Sequence, residues 1–160
     1  MKIEIYKEKI IEANTTKENW YYTFQSYYSK KEEIQLCVGC NSYAEAKLYV
    51  ERTITPKYYL INNIAEGMYN EDYITRLAYF GKHQDAMTLR NKKKMLQKVL
   101  DEYGNRDLRK LQVLEVEKYL FADSHKSSYK NAFISVIKEI YIETKYKCPQ
   151  PVPLPTFTLF

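Results

Sequence analysis

Residues 127–147, SSYKNAFISVIKEIYIETKYK, are the stretch that decides the fold. Its apolar side chains recur at intervals of three and four residues, which is the spacing of one face of an α-helix. Ser127 or Ser128 suits the N-cap, because a hydroxyl there accepts a bond from a free amide of the first turn. A helix with so long an apolar face requires other helices around it. The inward positions are Tyr129, Ala132, Phe133, Val136, Ile137, Ile140, Tyr141 and Thr144.

The chain before this helix also reads as helical, back to Pro56. Thr88 is the predicted N-cap of a helix over 89–103, and Gly104 is its predicted stop. The helix over 70–81 is predicted to place Phe80 on its inner side, with Tyr73, Ile74 and Leu77. The predicted helical segments are 58–69 (a helix or an ordered connector), 70–81, 89–103, a shorter helix from about Val113, and 127–147.

The first forty residues show a period of two, which is typical of half-buried strands. Ser42 and Glu45 then have the spacing of a helix capping box, which predicts a helix over 42–53. One face of the sheet must be buried against that helix. The predicted inward residues of the aromatic strand are Trp20, Tyr22 and Phe24, and the predicted exposed ones are Tyr21, Thr23 and Gln25.

These patterns predict an α+β protein, with a small three-stranded sheet and one helix followed by an all-α helical bundle. The predicted organisation is a module over 1–54, a linker over 55–62, a helical domain over 63–147 and a proline-rich tail over 148–160. Prolines at every second position from 149 to 155 exclude a helix in the tail. It also carries Leu154, Phe157, Leu159 and Phe160, so we interpret it as a linker to a further domain. We expect it to be disordered or packed on a neighbouring molecule.

The positive charge of the chain is concentrated in one helix-sized stretch. The net charge is +5, and residues 82–98 contain six Lys or Arg against a single acid, Asp85. Clustered cations create a local field whose usual target is a polyanion. A solvated lysine face is the competing interpretation. No apolar run is long enough to span a bilayer, so we expect a cytoplasmic protein.

Two regions of the sequence resemble the DNA-binding half of tyrosine recombinases of the phage or transposon integrase type. NWYYTFQSYY followed by NSYAEAKLYV is similar to the arm-binding domain of that family. Residues 63–120 and 126–146 resemble its core-binding, SAM-like helical domain. Tyr103-Gly104 stands where a family helix ends, and Val116-Glu117-Lys118-Tyr119-Leu120 matches a later family pattern.

The resemblance implies binding of double-stranded DNA of the attachment-site type, with other integrase protomers as further partners on the DNA. Helices 88–103 and 127–146 would lie across the major groove. A helix N-terminus with hydroxyls and a lysine also suits a phosphate, although the serine can simply be a cap. In the family the exposed sheet face enters DNA as well, which implicates Tyr21, Thr23 and Gln25. The implied contacts of the helical domain are Thr88, Arg90, Lys93, Lys94, Gln97, Lys98, Lys126, Ser127, Ser128, Lys130 and Asn131.

We expect no enzymatic activity, cofactor or metal in this chain. The His-x-x-Arg signature of the family's catalytic half is absent, since Ala86 follows His83 by three residues and Ser128 follows His125. Cys37 and Cys40 form half of a zinc motif, but Cys148 lies in another predicted module without matching spacing. The pair more simply marks the end of a strand.

Two other functions remain open at this point. The chain could be a stand-alone DNA-binding regulator derived from an integrase. It could also be a protein–protein interaction module, because it contains 17 tyrosines and tyrosine is common at interfaces.

Overall fold

The computed structural model describes the backbone of residues 2–12, 15–25 and 32–160, and the side chains of residues 19–23 and 35–160. The chain divides into two compact units. One contains Met1–Tyr59 and Thr144–Pro151, and the other contains Leu60–Glu143 and Val152–Phe160. Residues 144–151 thus group with the amino-terminal unit, whereas the sequence places them in the helical domain and its tail.

The order of elements is a small antiparallel sheet followed by helices, which confirms the predicted α+β class. No helix in the described part of the chain is long and apolar enough to cross a membrane. The elements are β1 Lys2–Glu12, β2 Thr15–Gln25, β3 Glu32–Leu36, α1 Tyr43–Tyr49, a π-helical turn Val50–Ile54, α2 Thr55–Tyr58, α3 Ile61–Ala65, α4 Glu71–Tyr79, α5 Ala86–Tyr103, a 3-10 turn Leu108–Lys110, α6 Val113–Ala122 and α7 Ser127–Lys147.

In the first unit the strands pair in the order β1-β2-β3. Tyr22 lies in the core that the sheet shares with the following helical segment, and its hydroxyl donates to Gln35 Oε1 at 2.6 Å. Trp20 is only half-buried and packs at the border of this core. The inward position of Tyr22 is as predicted, while the side chain of Phe24 lies outside the described residues. The buried cluster is Tyr22, Cys37, Ala46, Val50 and Ile54.

The predicted exposure of the opposite sheet face is wrong for Thr23. Thr23 is buried like its neighbour Tyr22, so both faces of β2 are covered at this point. Tyr21 is half-buried, and the side chain of Gln25 lies outside the described residues. The alternation of side chains along β2 assigns each residue to one of the two faces of the sheet. It does not show which atoms cover each face.

The predicted cap at the start of α1 is confirmed for Ser42, while the Glu45 side chain reaches back to the amide of Asn41 rather than to that of Ser42. The amide of Glu45 donates to Ser42 Oγ at 3.2 Å, and the Glu45 carboxylate accepts from the amide of Asn41 at 2.6 Å. The helical path continues past the predicted end at residue 53 as a π-helical turn and α2. Pro56 accounts for the widened turn, because it has no amide proton for the carbonyl of Arg52 and its ring crowds that oxygen.

The second unit is a bundle of helices packed around α7. Phe133, Ile134, Ile137 and Ile140 are almost fully buried. Ala132, predicted to point inward, is instead exposed, and Ile134 is buried. A helix at the centre of a bundle is covered on more than one side, so its buried residues exceed a single stripe.

Helix α5 begins at Ala86, three residues before the predicted start, and its N-cap is Asp85 rather than Thr88. The Asp85 carboxylate accepts from the amide of Thr88 at 2.7 Å. Asp and Thr are both good cap residues, and here the carboxylate takes the role. At the other end Gly104 is the C-cap, as predicted. There the carbonyl of Gly104 accepts from the amide of Asn62 at 2.8 Å, so the glycine also allows a close approach of α3.

The expectation of a disordered or externally packed tail is wrong. In the helical unit Phe157 is buried, and its ring centroid lies 6.4 Å from that of Tyr141. The amide of Thr158 donates to Glu117 Oε1 at 2.8 Å. Leu154 and Leu159 stay exposed. The end of the tail is thus held by side chains of α6 and α7, because Glu117 accepts from the Thr158 amide and Asn131 bonds both backbone groups of Phe160.

Candidate nucleic-acid interface

The outer face of α5 carries five of the eleven DNA contacts predicted in the helical domain. Leu96, Val99 and Tyr103 are buried on the inner side of the helix. With 3.6 residues per turn, the residues between them point outward. We call the exposed set the basic face: Arg90, Lys93, Lys94, Gln97 and Lys98.

Among the residues whose side chains the structure describes, the cations of the basic face have no carboxylate partner. Within residues 35–160, none of Arg90, Lys93, Lys94 and Lys98 forms an ion pair with a carboxylate. Gln97, also on this face, forms a side-chain hydrogen bond, in which its Nε2 donates to Asp101 Oδ1 at 2.8 Å. The ion pairs of this part of the chain include Arg76–Glu143, Lys92–Glu139, Arg106–Glu115 and Arg109–Asp107, and His125 forms a further pair with Asp123 when it is protonated.

Lys92 belongs to the same lysine run but has a different role. Its ammonium pairs with Glu139 of α7 and lies 5.7 Å from the centroid of the Tyr69 ring. Glu139 also accepts from the Tyr69 hydroxyl. Burial and the nearby carboxylate of Glu139 raise the pKa of Tyr69 above its ordinary value. The charge of Lys92 is thus used inside the fold, and this lysine is not part of the basic face.

Thr88 lies beside the basic face rather than on it. It is half-buried and lines a groove of about 230 Å³ between α5 and α7. Asn91 and Met95 continue the same wall, and Ala132 and Ser135 form the opposite one. The groove is largely apolar, so it does not extend the positive surface.

The second group of predicted DNA contacts lies at the start of α7. Only part of this group is exposed to solvent. Lys126, Ser127 and Ser128 are exposed. Asn131 instead holds the tail, since its Nδ2 donates to the carbonyl of Phe160 and its Oδ1 accepts from the Phe160 amide, both at 2.8 Å. The Lys130 ammonium lies 5.2 Å from the centroid of the Phe160 ring.

A carboxylate lies close to the start of α7 as well. Asp123 accepts from the backbone amide of His125 at 2.6 Å, and this bond lowers the pKa of Asp123. The His125 ring stacks on Tyr129 with centroids 4.0 Å apart. An ionised Asp123 partly offsets the charge of Lys130, so the start of α7 is a weaker anion site than the basic face.

The cysteines are structural in this fold. Burial first, and the nearby Cys40 second, raise the pKa of Cys37 to about 11, so its thiol is protonated at neutral pH. The Cys148 thiol donates to the carbonyl of Tyr58 at 3.2 Å. Among the described residues, no group of three or more His, Cys, Asp or Glu could hold a metal ion.

One exposed feature was not predicted from the sequence. Phe80, assigned to the inner side of its helix, is instead exposed, and so are Tyr79 and Met87. Tyr79 and Phe80 stand just before Gly81, where α4 has already ended, so the helical spacing no longer applies to Phe80. The local signal that could have revealed this is the adjacent aromatic pair before a glycine stop.

Searches with protein-family models, curated proteins and solved structures return no match to this chain.

Proposed function

We propose that this protein binds double-stranded DNA through the basic face of α5. The observation that carries the proposal is the set of four exposed cations, Arg90, Lys93, Lys94 and Lys98, without carboxylate partners among the described residues. Unpaired cations on a rigid helix neutralise phosphates without first breaking internal ion pairs.

The geometry of the face suits a polyanion better than a single small anion. Arg90, Lys94 and Lys98 follow one another at intervals of four residues, about 6 Å apart along the helix axis, and Lys93 lies next to Lys94. They therefore form a row rather than a pocket. A row of cations matches a repeated charge, and DNA carries such a repeat along each strand.

The start of α7 contributes less to the proposed surface. Lys126, Ser127 and Ser128 are accessible for phosphate contacts, whereas Lys130 and Asn131 would have to release Phe160 first. The proposed surface therefore centres on α5. We do not extend it to the sheet face, because Thr23 is buried.

The resemblance to integrases supports a more specific form of the proposal. In that form, the helical unit is a SAM-like core-binding domain, and the protein is the DNA-binding region of a tyrosine recombinase or a regulator derived from one. The supporting residues are the patterns in 63–120 and 126–146. The parent reaction would be strand exchange at attachment sites, with catalytic residues outside this chain.

The tyrosine-rich interaction module is the less favoured alternative. At least six tyrosines of the described chain are buried, so much of the excess contributes to packing rather than to a surface. Tyrosine suits such cores because its ring packs while its hydroxyl finds a partner. These residues are Tyr22, Tyr59, Tyr69, Tyr73, Tyr103 and Tyr141.

A salt titration with a labelled duplex tests the proposal. Four phosphate contacts give a slope of log K against log salt of about −3.6, since each neutralised phosphate contributes about −0.9. We expect a slope of that size by fluorescence anisotropy. Absence of binding at low salt, or binding that does not change with salt, would contradict the proposal.

A further inference from the structure

The turn between α4 and α5 presents an exposed aromatic pair. Tyr79 is 86% exposed and Phe80 is 56% exposed. Their ring centroids are 5.4 Å apart, with an interplanar angle of 86°. Met87, in the first turn of α5, is 70% exposed. Solvent-exposed rings of this size are uncommon without a partner, because their burial is favourable.

The backbone beneath this pair is fixed at both ends. The amide of Lys82 donates to the carbonyl of Leu77, and that of Gly81 donates to Ala78, both at 2.9 Å. With Gly81 at a φ of 73°, these two bonds form a Schellman motif that closes α4. Asp85 then caps α5. A rigid support lets the rings bind without a large loss of conformational freedom.

The aromatic pair stands in the chain just before α5, the helix that carries the basic face. Met87, Arg90 and Lys94 follow one another at intervals of three and four residues, so they share one side of α5. Lys82, in the connecting turn, is exposed and adds another cation. The turn and the first half of α5 thus hold Lys82, Arg90, Lys93 and Lys94 against one acid, Asp85. Because cations outnumber acids in the segment that follows the rings, a polyanion with apolar faces is the complementary partner.

We propose that Tyr79 and Phe80 contact DNA bases by insertion at a weakened base step, beside the phosphates held by the basic face. The inference rests on the proposed function. It adds a contact with the bases, which the cations of the basic face do not make. Apolar side chains inserted at base steps are a known device of DNA-binding proteins. Insertion costs least where a mismatch has already weakened stacking.

The test uses two matched double variants of the full chain. Tyr79→Ala/Phe80→Ala removes the aromatic pair. Leu114→Ala/Phe121→Ala removes two similarly exposed apolar side chains on α6, which are 57% and 81% exposed. Each protein is titrated with a duplex and with the same duplex containing one central mismatch. The melting temperature of each variant checks that it folds.

We expect the wild-type protein and the α6 variant to bind the mismatched duplex more tightly than the intact one. The aromatic variant should bind the mismatched duplex about tenfold more weakly, a loss in the range for one stacked base. Its salt slope should stay unchanged, because it keeps every cation. 2-Aminopurine next to the mismatch should brighten with wild-type protein and not with the aromatic variant.

Wild-type affinity and mismatch preference in the aromatic variant would overturn the inference and leave the proposed function intact. The inference is also overturned, and the proposed function is left intact, if the aromatic variant changes only self-association or binding to phospholipid vesicles. By contrast, if the wild-type protein shows no salt-dependent DNA binding, the proposed function fails and the inference fails with it.

Discussion

Helices α5 and α7 are the two long helices of the protein, and both contain predicted DNA contacts, yet they use their charges differently. The cations on the outer face of α5 have no carboxylate partners within the described residues. The polar groups of α7 are largely engaged, since Glu139 pairs with Lys92, Glu143 pairs with Arg76, and Asn131 holds the tail. The comparison teaches that the presence of charge does not define a binding surface. A charge is available to a partner only when the fold does not already use it.

The position of α7 explains this difference. It lies at the centre of the helical unit, where polar side chains lose water and need partners within the protein. Glu143 is 2% exposed and Arg76 is 9% exposed, so their pair is shielded from solvent. Helix α5 is covered on one side only, and its other side keeps its charges in water.

Removal of the buried pair should have the largest effect on stability. We expect Glu143→Ala to lower the free energy of unfolding by about 3–5 kcal/mol, because it removes one member of a buried ion pair. Urea denaturation measures the loss. Glu139→Ala, which breaks the more exposed pair with Lys92, should lower the free energy of unfolding clearly less. Equal losses in the two variants would show that burial does not determine how much these ion pairs stabilise the protein.

Removal of the tail contact should have an intermediate effect. Phe157→Ala deletes a buried ring, but the tail can detach without unfolding the bundle. We therefore expect a loss of no more than about 3 kcal/mol, at the low end for a buried phenylalanine. Hydrogen exchange should show faster exchange of the Thr158 and Phe160 amides. Leu159→Ala removes an exposed side chain and is the control; equal effects of both variants would argue against a docked tail.

The cap of α5 should give the smallest effect, with a defined pH dependence. Bonds from the amide of Thr88 lower the pKa of Asp85 below its ordinary value of 3.8. A lowered folded-state pKa means that the cap stabilises the protein above pH 3.8 and that this contribution disappears as the pH falls through the folded-state pKa.

Asp85→Ala should therefore be less stable than the wild type at pH 7, with the difference narrowing toward pH 3. Asp85→Asn keeps an acceptor at the cap but does not titrate there. Thermal denaturation across this pH range checks the expectation. A pH-independent difference between the wild type and Asp85→Ala would contradict the role of the carboxylate.

Local interactions were predictable from the sequence, and non-local ones were not. The capping box at Ser42 and Glu45 and the helical phase of α5 depend on residues within a few positions of each other. The prediction of Thr88 as the cap was wrong because Asp85, three residues earlier, is also a residue type that fits a helix start. The partners of Lys92 and Asn131 lie 47 and 29 residues away along the chain, at distances that periodicity does not locate.

A comparison of two charge-reversed proteins tests the central claim most directly. One carries Arg90→Glu, Lys93→Glu, Lys94→Glu and Lys98→Glu. The other carries Lys47→Glu, Arg52→Glu, Lys110→Glu and Lys118→Glu, four exposed cations elsewhere, so both proteins have the same net charge. Their affinities for one duplex are measured by anisotropy across a range of salt concentrations.

We expect the α5 variant to bind at least about 100-fold more weakly at 100 mM salt and to lose most of the salt slope, since about 0.9 of slope is lost with each phosphate contact. The control variant should keep most of the salt slope. It should lose affinity only because its net charge is more negative than that of the wild type. Equal losses in the two variants would show that net charge, rather than the basic face of α5, determines DNA binding.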